Sequence, residues 1–141
     1  MSADGLADDD IVRILRGTRR IAMVGASVRP ERASHHVFAF LLGQGFDVMP
    51  VNPGHAGQML HGRPVVASLA EAAPLDMVDL FRASARVGPS VAEAIRLGAR
   101  TVWMQLGVVD EAAAATARAA GIAVVMDRCP AIEMPRLGLA A

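Results

Sequence analysis

The sequence contains no lysine and no tyrosine, one cysteine and one tryptophan. Without lysine there is no Schiff-base chemistry and no Walker-type phosphate loop, since each depends on that amine. One cysteine, Cys129, leaves no disulfide framework within the chain and no cysteine-based zinc site. Four Phe and one Trp offer few flat platforms for stacked bases. Net charge is also missing, because 14 basic and 14 acidic residues balance. Nothing in that sum draws the chain to nucleic acid or to a membrane. Apolar runs such as 122–126 fall far short of the ~20 residues a membrane-spanning helix needs. The acidic start of the chain lacks the apolar core of a signal peptide, so a soluble cytoplasmic protein is expected.

What is present is arginine. All 14 basic residues are Arg, and four acids (Asp4, Asp8, Asp9, Asp10) precede the first of them, Arg13. From residue 11 onward, 14 arginines face ten acids. The body is therefore mildly basic, with planar guanidinium groups suited to gripping phosphate. At 141 residues the chain reads as one domain, long enough to bury a core without a metal or disulfide staple. Residues 1–9 are expected to form a loosely ordered acidic tail.

Short apolar runs alternate with helical patterns throughout. Asp8, Asp9 and Asp10 read as the capping cluster of a first helix carrying Ile11, Ile14 and Leu15 on one face. Ser34 is expected to cap a second helix, Ser68 with Glu71 reads as a capping box, and Asp110 caps an alanine-rich helix. Strands are expected at 21–24, 46–51, 76–81, 101–104 and 122–126. Three helices close on Gly45, Gly98 and Gly121, each followed at once by a strand, because glycine enters the left-handed conformation of a helix end without a steric penalty. Strand–helix alternation with apolar strands predicts an α/β, Rossmann-like, doubly wound sheet. It would have about five parallel strands in the order 3-2-1-4-5, with helices on both faces.

Ligands of such sheets bind beyond the carboxyl ends of the strands. The loops there carry Arg29 and Arg32 after the first strand, Arg82 after the third and Arg128 after the fifth. The first also holds Ser27 and Ser34 at a helix start, the combination of hydroxyls, guanidinium groups and free amides that holds phosphate. The dinucleotide fingerprint is incomplete. Gly25 is followed by Ala26, Ser27, Val28 and Arg29, and the second strand leads to Asn52 rather than an acid.

The motifs Val24-Gly25-Ala26-Ser27, Pro30-x-Arg32-x-Ser34, Val51-Asn52-Pro53, Asp76-x-Val78-Asp79-x-Phe81-Arg82, Gly98-Ala99-x-x-Val102-Trp103-Met104-Gln105-x-Gly107 and Val124-Val125-Met126-Asp127-Arg128-Cys129-Pro130 run in order through the chain. Together they resemble the small CoA-binding-domain proteins of the YccU-like group, similar to the N-terminal domain of the succinyl-CoA synthetase α subunit. The resemblance spans about residues 10–137 and implies a fold that binds coenzyme A. It implies that Gly25, Ala26, Ser27, Arg32 and Ser34 line the first phosphate-holding loop, and that Asn52 and Pro53 approach the 3′-phosphate end of the adenosine. It further implies that Phe81, Arg82 and Ala83 flank adenine or pyrophosphate, with Gln105 and Gly107 on the pantetheine side. The synthetase carries a lysine in its second loop; this chain has none.

The remaining reactive side chains have structural readings. His35 and His36 fall at a helix start and His55 and His61 in a loop, without ligand spacing for a metal. Cys129, beside Arg128, reads as a small buried thiol. Asp76 and Asp79, three apart on a strand, point to opposite faces and form no catalytic pair. With no nucleophile or acid–base pair in view, the expected function is non-catalytic binding of CoA or acyl-CoA. Such a module would act as a sensor or as a partner in CoA metabolism. The alternative is an NAD(P)-binding or acyl-CoA-processing enzyme of the Rossmann type.

Overall fold

A computed structural model describes residues 2–141. In chain order the elements are α1 (Asp8–Arg16), β1 (Arg20–Val24), α2 (Ala33–Gly43), β2 (Asp47–Val51), the two-residue strands β3 (Met59–Leu60) and β4 (Arg63–Pro64), and α3 (Leu69–Ala72). There follow β5 (Met77–Leu80), α4 (Val87–Arg96), β6 (Thr101–Met104), α5 (Glu111–Ala119), β7 (Ala123–Val125) and α6 (Pro130–Arg136). Five strands form one parallel sheet in the order β2-β1-β5-β6-β7, while β3 and β4 pair as a separate antiparallel hairpin.

The α/β class and the five parallel strands agree with expectation; the order does not. The third long strand, β5, lies on the far side of β1 from β2, so the arrangement is 2-1-3-4-5 instead of 3-2-1-4-5. Two features explain this. The outer edge of β2 is already covered, because Asn52 N–H donates to the Val66 carbonyl (2.9 Å) and Val66 N–H to that of Pro50 (3.0 Å). Pro50 has no N–H, which suits an edge strand and not an internal one. Meanwhile the Asp76 carboxylate accepts from the backbone N–H groups of Arg19 and Arg20 (both 3.0 Å), drawing the start of β5 against β1.

Alternation along the strands divides the core in two. Val78 and Leu80 face α3, α4 and α5 together with Val91, Ala114 and Met104. Met77 and Trp103 face the opposite side, with Ile11 of α1, Phe38 and Leu41 of α2 and Met134 of α6. Each large side chain sealed in this way contributes on the order of 1.5–3 kcal/mol. Gly45, Gly98 and Gly121 all take positive φ, as their places at helix ends require.

The start of the chain departs from expectation. Asp4 is buried, where its carboxylate accepts from Met126 N–H (3.0 Å) and from the Arg128 guanidinium (2.8 and 3.0 Å). Asp8 pairs with Arg136 at 2.8 Å. Segment 4–8 is thus fastened across the end of β7 by its own acids and is not a loose tail.

Candidate functional site

The carboxyl end of β1 is built around Gly25. Its φ of +83° favours glycine, and a Cβ here would lie 2.2 Å from the Phe81 carbonyl oxygen. Only the absence of a side chain lets the first and third loops meet this closely. The loop beyond is fixed by its own hydrogen bonds. Ser27 N–H donates to Ser34 Oγ (3.1 Å) and Arg29 N–H to Ser27 Oγ (3.1 Å). Asn52 Nδ2 donates to the Ala26 carbonyl at 2.9 Å, while its Oδ1 accepts from Gly54 N–H at 3.0 Å. Ser34 is therefore not a helix cap: α2 begins at Ala33 with Arg32 as its N-cap residue, and the Ser34 hydroxyl braces the loop.

A cleft of about 490 Å³ opens above this loop, lined by Gly25, Ser27, Arg29, Arg32, Ser34, Asn52, His55 and Phe81 among others. Arg29 and Arg32 are exposed, and among the described residues the ion pairs use neither of them. Their charges remain open to an anion at the N-terminal end of α2. Ala26 is buried beneath the loop and offers only its carbonyl, to Asn52.

A second cleft of about 290 Å³ adjoins the first through Ala33 and Phe81 and continues past Arg82, Ala83 and Gln105 to Val108 and Cys129. Its walls are mainly apolar. Behind Gln105 lies Asp79, wholly buried on the α2 side of the sheet. With the Gln105 amide nitrogen toward the carboxylate, Nε2 stands 2.7 Å from Asp79 Oδ1 and 3.2 Å from Oδ2. Burial raises the Asp79 carboxyl well above its ordinary value, because no cation offsets the lost solvation.

Of the site positions the resemblance implies, Ala26, Pro53 and Gly107 do not line these two clefts. Pro53 turns to the other face of the sheet, where it lines a third cleft with Arg82. Gly107 serves a latch: its N–H donates to Asp127 Oδ1 (2.7 Å) and its carbonyl accepts from Ser84 Oγ (3.3 Å). Arg128 is the clearest correction. It lies between Asp4 and Glu133, 2.8 and 2.7 Å away, so its charge is not directed at a ligand. Burial would raise the Asp4 carboxyl, but hydrogen bonds from Arg128, Leu6 N–H and Met126 N–H outweigh it and hold the pKa at about 2.

Sequence reasoning left out His55 in the first cleft and Cys129 in the wall of the second, and noted Arg29 with its loop without carrying it into the site. Arg29 shares a loop with Arg32, and His55 closes the Asn-Pro-Gly turn after β2. Cys129 is buried and free, as expected for a packing thiol, yet one side of it meets the cleft. Three histidines gather where the start of α2 meets the β3–β4 hairpin. His35 and His61 have ring centroids 4.5 Å apart and His36 is 6.0 Å from His35. Burial first, and then the neighbouring rings, lower the His35 pKa. Among the described residues no group of three His, Cys, Asp or Glu is placed to hold a metal ion.

Comparison with known proteins agrees with this fold. The chain is 36% identical over 121 residues to the uncharacterized protein YneT of Bacillus subtilis, covering 85% of this chain and 88% of that one. It matches the structure of Prb, a PH1109 protein redesigned for binding, with 39% identity, a TM-score of 0.91 and coverage of 98% of this chain and 96% of that one. A likeness of fold alone, at 14% identity and a TM-score of 0.58 over 84% of this chain and 58% of the other, links it to RSP in complex with beta-NADH. The sequence pattern of the CoA binding domain matches residues 19–135, the whole parallel sheet and every loop at its carboxyl end, and the chain belongs to that family.

Proposed function

We propose that this protein is a cytoplasmic, non-catalytic binder of coenzyme A or an acyl-CoA, serving as a sensor or partner module. The observation that carries the reading is the junction of two unlike clefts. One is polar and bears Arg29 and Arg32 without carboxylate partners; the other is apolar and begins where the first ends, at Phe81 and Ala33. Coenzyme A has the same two halves, a polyanionic nucleotide and a long uncharged arm. The pyrophosphate would lie over Gly25 and the α2 N-terminus, drawn by the two guanidinium groups. The pantetheine arm would pass Phe81 toward Val108 and Cys129, with Gln105 as its polar neighbour. Among the residues that line that path there is no carboxylate or imidazole, and Asp79 is sealed behind Gln105.

NAD is the competing occupant, because the fold is shared with dinucleotide binders. Against it, Asn52 occupies the place where an acid would hold the ribose hydroxyls. Thermal unfolding with CoA, acetyl-CoA, NAD and NADP separates the readings. A ligand present at a hundredfold its Kd stabilises the folded chain by about 2.7 kcal/mol. CoA or acetyl-CoA at millimolar concentration is expected to raise the midpoint by several degrees, with little response to NAD. No response to CoA, or an equal one to NAD, refutes the CoA assignment.

A further inference from the structure

The apolar cleft beyond Phe81 has a thiol in its wall. Cys129, the N-cap residue of α6, lines it together with Gln105, Leu106 and Val108. The residue is buried and forms no disulfide. Cys129 and Leu106 also line a further cleft of about 330 Å³, which Ile132 and Arg136 border as well. Cys129 thus meets two clefts, a placement that packing alone does not require of a small thiol.

A second side chain in the same wall calls for a ligand. Gln105 is only 5% exposed and lines the apolar cleft. With Nε2 toward Asp79, both hydrogen bonds open to the amide run from that nitrogen, and Oε1 is left without a donor in the protein. A carbonyl oxygen so confined costs free energy until a ligand supplies an N–H. A pantetheine arm carries two amide N–H groups and ends in a thiol. An arm held at Gln105 by an amide brings that thiol along the wall that Cys129 shares.

We propose that Cys129 forms a reversible mixed disulfide with the thiol of the bound coenzyme, so that the chain captures oxidised CoA covalently. This rests on the CoA assignment above and adds a covalent step to it. The co-reactant is a CoA disulfide. The Cys129 thiol gives up its proton and its sulfur attacks one sulfur of that disulfide. The new S–S bond forms as the old one breaks, and the released CoA departs as a thiolate that takes up a proton. Cys129 is oxidised and the departing sulfur is reduced, so no further oxidant enters. Excess free thiol runs the exchange backwards. Seating the arm in the apolar cleft raises the effective concentration of one sulfur at the other, and the further cleft beside Cys129 and Leu106 gives the departing half a way out.

Intact-mass spectrometry without reductant tests it, with CoA disulfide and glutathione disulfide supplied separately at equal concentration. Because the chain has no other cysteine, the mass alone locates the adduct. Wild type is expected to gain one CoA unit, lost again on adding dithiothreitol, at least about tenfold faster than it gains glutathione, since only CoA is docked beforehand. In Arg32→Ala the two rates should draw together. No CoA adduct, or equal rates with the two disulfides, in a protein whose thermal midpoint CoA raises, overturns the mixed disulfide and leaves the CoA assignment standing. Absence of both the adduct and the thermal response overturns the assignment and the disulfide together.

Discussion

Arginine stands in the first and in the last strand-end loop of the chain, after β1 and after β7, and its circumstances there are opposite. Arg128 has a side chain only 13% exposed and sits among Asp4, Glu133 and the Leu6 carbonyl. Arg29 and Arg32 are exposed and the ion pairs use neither. The sequence motif presents these residues alike, yet one group fastens the chain to itself and the other is left for a ligand. What separates them is whether an acid elsewhere in the chain can reach them, and Asp4, 124 residues away from Arg128, is not visible from a local pattern.

The contrast breaks if Arg128 can be removed cheaply. Arg128→Ala leaves the buried Asp4 carboxylate without its cation, while Glu133 keeps Arg136 at 3.0 Å, and should cost about 3–5 kcal/mol, read as a lower urea midpoint. The extra stability conferred by saturating CoA should survive wherever the variant is folded. A midpoint near that of wild type would show that the network contributes little.

The opposite pattern is expected in the loop after β1. Arg29→Ala with Arg32→Ala should change ligand-free stability by no more than about 0.5 kcal/mol while weakening CoA binding at least about tenfold, as charge-assisted hydrogen bonds are lost. Calorimetry and denaturation on the same samples report both quantities. A large fall in stability without a fall in affinity would reverse the roles assigned to the two regions.

Acid titration sharpens the comparison further. The Asp4 carboxyl is held at about 2 against an ordinary 3.8, so folding favours its ionised form. That contribution is fully present above about pH 4 and is lost as pH falls toward 2. Glu133 is lowered in the same sense, burial opposing and the hydrogen bonds from Arg136 and Arg128 prevailing. The thermal midpoint should decline over this window, and Asp4→Asn should flatten the decline; an equally steep fall in the variant would exclude Asp4 as its source.

The smallest effect belongs to Asp79, whose raised carboxyl works in the reverse direction. The unfolded chain ionises it above its ordinary value while the folded interior resists, so it opposes folding increasingly as pH rises. Asp79→Asn, still able to accept from Gln105, should therefore stabilise the protein at pH 7 and much less at pH 4. Equal changes at both pH values would mean that the carboxyl is ionised in the fold.

Much of this was written locally. The apolar runs and the glycines that follow three of the helices located all five long strands, and Gly25 with Ser27 and Arg32 located the first loop. The place of β5 was also legible, in hindsight, from Pro50: a proline inside β2 marks an edge, whereas the order 3-2-1-4-5 would have put β2 in the interior. Pro130 after Cys129 similarly announces α6, since proline suits a first helical position. The hairpin β3–β4 was not legible, because strands of two residues carry no periodicity. Nor was the burial of Asp4, which depends on a partner at the other end of the chain.

Trp103 is fully buried on the α2 side of β6, and its Nε1 donates to the Arg128 carbonyl at 2.8 Å. The next residue after that carbonyl is Cys129, in the wall of the apolar cleft. Because the chain has no tyrosine and no other tryptophan, its intrinsic fluorescence on red-edge excitation comes from this one indole. Light emitted by the unmodified protein thus samples the peptide link between its tightest ionic network and its candidate ligand channel.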